Sequence, residues 1–115
     1  GGIMVATTHS LTDETNSVNR EAVIQLLKAM ANEHRLSILC SLRDGEVAVS
    51  ELSRTLPLSQ SALSQHLAWL RGQKLVTTRR QAQCIYYRLC DDKVSRIIQL
   101  LNQLYCEPEH GDASA

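Results

Sequence analysis

Between Leu58 and Leu70 the chain reads LSQSALSQHLAWL, and at 100° per residue its apolar and polar positions separate onto two sides. Leu63, Leu67 and Leu70 share one stripe, Ser61, Ser64, Gln65 and Ala68 occupy the other, and Gln60 stands in the first turn. This spacing predicts an amphipathic helix. Upstream, Val23, Leu26, Leu27 and Met30 form the stripe of a helix capped by Ser17 or Asn19 and running to about Ala31. Asn32 caps the next helix, which carries Leu36, Leu39 and Leu42 and stops at Gly45. A short helix, ELSRTL, follows Ser50 and ends at Pro57. Beyond Leu70 the period changes to two. VTTRR and CIYYRL are β-prone runs separated by Gln81, Ala82 and Gln83, which predicts a hairpin with Ile85, Tyr87 and Leu89 on one face and Cys84, Tyr86, Arg88 and Cys90 on the other. A last helix begins after Asp91 or Asp92. Its stripe of Val94, Ile97, Ile98, Leu101, Leu104 and Tyr105 is too long and wide for so small a core. Ile97, Ile98, Leu101, Leu104 and Tyr105 are therefore expected to pack against a second chain.

These elements organise 115 residues into one small domain, mainly α with a β-hairpin, over residues 18–106. Residues 1–17 read as a loose polar arm, with Gly1 to Ile3 ahead of Met4 a cloning remnant, and residues 107–115 as a disordered tail. No apolar run approaches the roughly 18 residues that span a bilayer, and no secretory signal precedes the domain. A cytoplasmic protein with no membrane partner is expected. Cys40, Cys84, Cys90 and Cys106 are then expected as thiols and not as a disulfide framework.

Charge sharpens the picture. The formal net charge is zero, yet residues 52–90 contain no acid and carry Arg54, Arg71, Lys74, Arg79, Arg80 and Arg88. One segment is thus strongly basic while the whole remains neutral, the distribution expected where one surface meets phosphates.

Two helices joined at a short Pro-containing turn, the second with an uncharged polar face, followed by an arginine-bearing hairpin, form a winged helix-turn-helix pattern. The second helix is the reader: Gln amides pair with base edges in the major groove, and Ser hydroxyls serve bases or phosphates without the bulk of a charged stem. Its start, capped by Ser59, suits a phosphate, and Arg79 and Arg80 on the wing add charge contacts independent of sequence. His66 and Trp69 lie on the core flank and are read as packing residues. An enzyme is not expected, because no cysteine belongs to a Cys-x-x-Cys pair and none opens a helix whose dipole would lower its pKa. A pure interaction module would leave the uncharged reader face and the acid-free run unexplained.

From LLKAMANEHRLSILCSL through LSQSALSQHLAWLRGQKLV to AQCIYYRL, over about Val18 to Cys106, the chain resembles the ArsR/SmtB family of dimeric bacterial repressors. The resemblance implies a double-stranded DNA operator as partner, a homodimer built from the first and last helices, and a DNA-reading face on Ser59, Gln60, Ser61, Ser64 and Gln65. Metal sites of that family do not carry over. Where one uses Cys-x-Cys this chain has Val47, Ala48 and Val49, and where another uses Asp-x-His and His-x-x-His it has Asp91, Asp92, Lys93 and Leu104, Tyr105, Cys106, Glu107. No metal or other cofactor is expected, since His9, His34, His66 and His110 show no ligand spacing.

Cys40 lies off the Leu stripe of its helix, and Cys106 about 150° from the apolar centre of the last one. Through ILCSL, LSQSALSQHLAWL and LYCEPE the chain resembles the persulfide-sensing dithiol branch of the family, the BigR, SqrR and HlyU type. That resemblance implies that Cys40 and Cys106 form a redox-sensing pair, linked by oxidation or inserted sulfur, with reactive sulfur species as inducer and loss of DNA affinity as the response. A regulator with another inducer or none, or a thiolate-based metal sensor, is the alternative. Cys84 and Cys90 have no counterpart in that branch.

Overall fold

A computed structural model describes residues 10–14 and 17–106 of the chain. Most of the arm and the whole tail expected from the sequence lie outside the described residues. The elements run α1 (Ser17–Met30), α2 (Glu33–Ser41), β1 (Val47–Ala48), α3 (Val49–Thr55), α4 (Gln60–Gly72), β2 (Val76–Gln81), β3 (Cys84–Leu89) and α5 (Lys93–Tyr105). This is a winged helix-turn-helix. No helix among the described residues is long and apolar enough to cross a membrane.

Local chemistry sets the boundaries. Asn32 caps α2, its Oδ1 accepting from the backbone N–H groups of His34 and Arg35, both at 3.0 Å. Ser59 caps α4, its Oγ accepting from Ala62 N–H at 3.1 Å. At the other end of α4, Lys74 adopts a left-handed φ of 61°, Lys74 N–H donates to Arg71 O and Leu75 N–H to Leu70 O. This Schellman closure, with lysine where glycine is usual, turns the chain directly into β2.

The core draws on every helix: Ala29 from α1, Ile38 and Leu39 from α2, Leu52 from α3, Leu63, Leu67 and Leu70 from α4, and Val94 and Ile98 from α5. Leu42, Val76 and Leu89 complete it, and no polar side chain is buried among them. On α1 the buried residue is Ala29, while Leu27 is exposed. Ile98, expected on a partner-facing stripe, instead points inward and is 2% exposed, because α5 docks on α2 through the side that carries Val94 and Ile98. Leu100, Leu101, Leu104 and Tyr105 remain outside.

The sheet has a strand that the sequence did not signal. Val47 and Ala48 pair antiparallel with Tyr87 and Tyr86, so the order is β1-β3-β2 and β3 is central. Val47–Ala48 therefore precede α3 as strand, and α3 itself begins at Val49. The hairpin loop is two residues long, Ala82 and Gln83, because Gln81 still pairs with Cys84. Ala82 has φ 58°, a left-handed value that ordinarily favours glycine.

Candidate nucleic-acid interface

The helix predicted to read bases has the expected sidedness. Ser59, Gln60, Ser61, Ser64, Gln65 and Ala68 are exposed, and Leu63, Leu67 and Leu70 anchor the opposite side in the core. There is no acid in the first turn of α4, so its N-terminal N–H groups carry their positive partial charge toward solvent. A groove of about 440 Å³ runs between α4 and the wing, with Ser64 and Arg71 on one wall and Ile85 and Tyr87 on the other.

α4 is held against the helices behind it by Arg35. Its guanidinium lies over the Trp69 ring at 4.2 Å, while Nε donates to Ala29 O at 3.2 Å and an Nη donates to Lys28 O at 2.9 Å. One side chain thereby bonds carbonyls at the end of α1 and grips α4 through a cation–π contact. Beside it the His34 and His66 rings sit 5.9 Å apart, tilted at 45°. His66 and Trp69 are half-buried, as their position on the core flank predicts.

The wing separates two arginines that are neighbours in sequence. Arg80 pairs with Ile85 and shares the face of Ile85 and Tyr87 that borders the groove. Arg79 pairs with Tyr86 on the opposite face. There it is engaged: Nε and Nη2 donate to the two carboxylate oxygens of Glu46, both at 2.8 Å, Nη1 donates to Gln81 Oε1 at 2.6 Å, and the guanidinium stacks on Tyr86 at 4.7 Å. The hydrogen bonds from Arg79 hold the Glu46 carboxyl below its ordinary range, with lesser help from the charges of Arg79 and Arg88. Arg54 is likewise paired, with Glu51. The acid-free run of the sequence thus borrows two acids on folding. Arg71, Lys74, Arg80 and Arg88 make no ion pair among the described residues.

All four cysteines are free and exposed. Cys40 lies in the last turn of α2, and partial burial pushes its thiol up, opposed by the nearby Arg43 charge. Cys106 ends α5, eight residues and about 12 Å beyond Ile98 along the helix axis. Its thiol is 3.9 Å from Asn102 Oδ1, a weak S–H donor to that amide oxygen. Cys84 stands at the wing tip beside Ser50, Ser53 and Gln60, and Cys90 follows β3. Among the described residues no group of three His, Cys, Asp or Glu gathers to hold a metal.

With this geometry in view, residues 32–78 match the family model described as bacterial regulatory protein, arsR family. The transcriptional activator HlyU of Vibrio cholerae is 57% identical over 89 residues, covering 77% of this chain and 82% of HlyU. The chain belongs to the arsR family of bacterial regulatory proteins. Among solved structures, reduced HlyU from Vibrio cholerae is 56% identical with a TM-score of 0.72, covering 79% of this chain and 96% of that one. The transcriptional repressor BigR from Xylella fastidiosa is 34% identical with a TM-score of 0.73, covering 81% and 95%. The winged helix-turn-helix DNA-binding domain of Mb0332 from Mycobacterium bovis, described as homodimeric, is 29% identical with a TM-score of 0.70, covering 83% and 88%. An arsR-family chain is a transcriptional regulator, and the winged helix-turn-helix described above agrees with that role.

Glu46 is the residue that sequence reasoning missed. It lies 33 positions from Arg79 and is brought near only by the pairing of β1, for which the sequence holds no signal beyond Val47.

The histidine pair yields a prediction. Partial burial, then the charges of Arg35 and His34, disfavour the His66 imidazolium and lower its pKa. Between that lowered value and the ordinary imidazole pKa of about 6.5, the unfolded chain binds more protons than the folded one. The stabilising contribution is therefore complete above about pH 6.5 and lost as pH falls through the folded value. The thermal midpoint should drop on acidification through this window, and His66→Asn should flatten the profile there.

Proposed function

We propose that this arsR-family regulator is a cytoplasmic homodimeric repressor that reads a double-stranded DNA operator with α4 and releases it when Cys40 and Cys106 are linked by reactive sulfur species. The observation that carries the DNA reading is the exposed, uncharged face of α4. Gln60 and Gln65 are suited to base edges, Ser59, Ser61 and Ser64 to bases or phosphates, and Arg80 to the backbone flanking the groove.

Dimerisation is supported by apolar side chains with no cover in the single chain. Leu101, Leu104 and Tyr105 on α5, with Leu100, and Val18, Ile24 and Leu27 on α1, are exposed, and Ile97 is half-buried. The first and last helices are thus the natural interface, and the related Mb0332 domain is homodimeric. Two copies place two α4 helices for successive turns of a major groove.

The switch is supported by the placement of both thiols and by the likeness to HlyU and BigR. A thiolate attacks a polysulfide, forming one S–S bond and breaking another, with the shortened polysulfide leaving as the reduced product. The second thiolate attacks the resulting Cys polysulfide and expels hydrosulfide, leaving a bridge that contains inserted sulfur. Either exposed thiol, Cys40 or Cys106, takes the first step and the other resolves it. A bridge joining α2, which backs α4, to the dimer helix α5 changes the spacing of the two readers.

Gln60→Ala or Gln65→Ala should weaken a specific site by about 1–3 kcal/mol while leaving random-sequence binding nearly unchanged. Anisotropy titrations on both duplexes measure this, and equal loss on both would remove the base-reading role. Cys40→Ser and Cys106→Ser should each bind DNA like the wild type but ignore polysulfide, whereas Cys84→Ser and Cys90→Ser should respond normally. Mass spectrometry of the linked peptides reports the bridge itself. Operator release by the variant lacking both Cys40 and Cys106 would move the switch elsewhere, or leave a regulator with another inducer.

A further inference from the structure

We infer that Glu46 sets the DNA specificity of this protein by withholding Arg79 from the phosphate backbone. The inference rests on the reading that the wing lies along DNA.

Arg79 is the cation one would assign to DNA from the sequence, in an acid-free run and on an exposed hairpin. In the fold three of its five N–H donors are engaged. A fork of two 2.8 Å bonds to Glu46 and a third bond to Gln81 hold the guanidinium in place, and one of its faces stacks on Tyr86. Strand alternation sets its Cα with Tyr86 and Ala48 on the face opposite the one that borders the groove, so Arg79 reaches a phosphate only by swinging its long side chain round the wing, the movement that the Glu46 fork prevents. The carboxylate that neutralises it comes from just before β1 and reaches across β3 to β2, so the clamp exists only when the three-stranded wing is assembled.

The consequence is energetic. A phosphate contact by lysine or arginine raises affinity for every DNA sequence alike, and so narrows the margin between operator and bulk DNA. An arginine held by its own carboxylate contributes little to this common term. Specificity then depends on the uncharged face of α4.

The clamp is tested with the full-length protein and a random-sequence duplex, by anisotropy across a salt series. Glu46→Gln keeps the shape and removes the charge. It should tighten random binding severalfold and steepen the slope of log affinity against log salt by about 0.9 for each arginine released. Arg79→Ala in the wild-type background should change random binding less than twofold, yet abolish the gain when combined with Glu46→Gln. Arg80→Ala should weaken random binding and serves as the control for the wing. If Arg80→Ala weakens binding while Glu46→Gln leaves it unchanged, the wing touches DNA but the clamp withholds nothing, and the inference fails alone. If Glu46→Gln and Arg80→Ala are both silent, the wing reading fails, and the inference with it. A gain that survives Arg79→Ala would reduce Glu46 to a simple repulsive charge and overturn the clamp. Arg79→Ala as damaging as Arg80→Ala would also overturn it.

Discussion

One side chain ties the reader to the rest of the molecule. Arg35 donates to carbonyls at the end of α1, belongs to the first turns of α2 and stacks on Trp69 of α4. Hydrogen bonds from a charged donor contribute about 1.5–3 kcal/mol and a partly desolvated cation–π contact about 1–2 kcal/mol. Against a total stability of roughly 5–15 kcal/mol for a domain, such a junction is not incidental. Apolar packing beneath α4 fixes its depth through Leu63, Leu67 and Leu70. Packing is tolerant of rotation, however, whereas a planar guanidinium held by two carbonyls and a ring defines direction as well. The exposed face of α4 is presented at a fixed angle because its buried flank is held in this way.

A second principle runs through the charge distribution. The protein is neutral overall, and folding returns two of the acids before residue 52 to the arginines after it, Glu46 to Arg79 and Glu51 to Arg54. Four cations of that segment, Arg71, Lys74, Arg80 and Arg88, stay unpaired among the described residues, and of these Arg71 lines the groove and Arg80 shares the sheet face that borders it. The reader itself carries no charge before Arg71. On the proposed reading, attraction to DNA in general and discrimination among sequences fall to different side chains.

The helices were legible in the sequence because their signals are local. A 3.6-residue stripe and side-chain caps at Asn32 and Ser59 identify α2 and α4, and alternation identifies the two long strands together with their faces. What escaped reading depends on contacts between distant segments. β1 is two residues long and is strand only because β3 offers it partners. The tight turn at Ala82 lacks the glycine or asparagine that announces a left-handed residue, so the loop was read one residue too long. Ile98 shares a helix stripe with Leu101 and Leu104, and only docking on α2 decides which of them face inward. For the site, the α4 residues followed from periodicity, but the different fates of Arg79 and Arg80 required the sheet register and a carboxylate 33 residues away.

The central claim is that two copies of this chain read DNA through paired α4 helices. Selection of bound duplexes from a randomised DNA library, followed by sequencing, tests it most directly. The account predicts enrichment of a two-fold symmetric sequence whose half-sites are centred about 10 base pairs apart or a multiple of that, as paired readers in successive major grooves require. Recovery of unenriched library, or of a single site without two-fold symmetry, would contradict it.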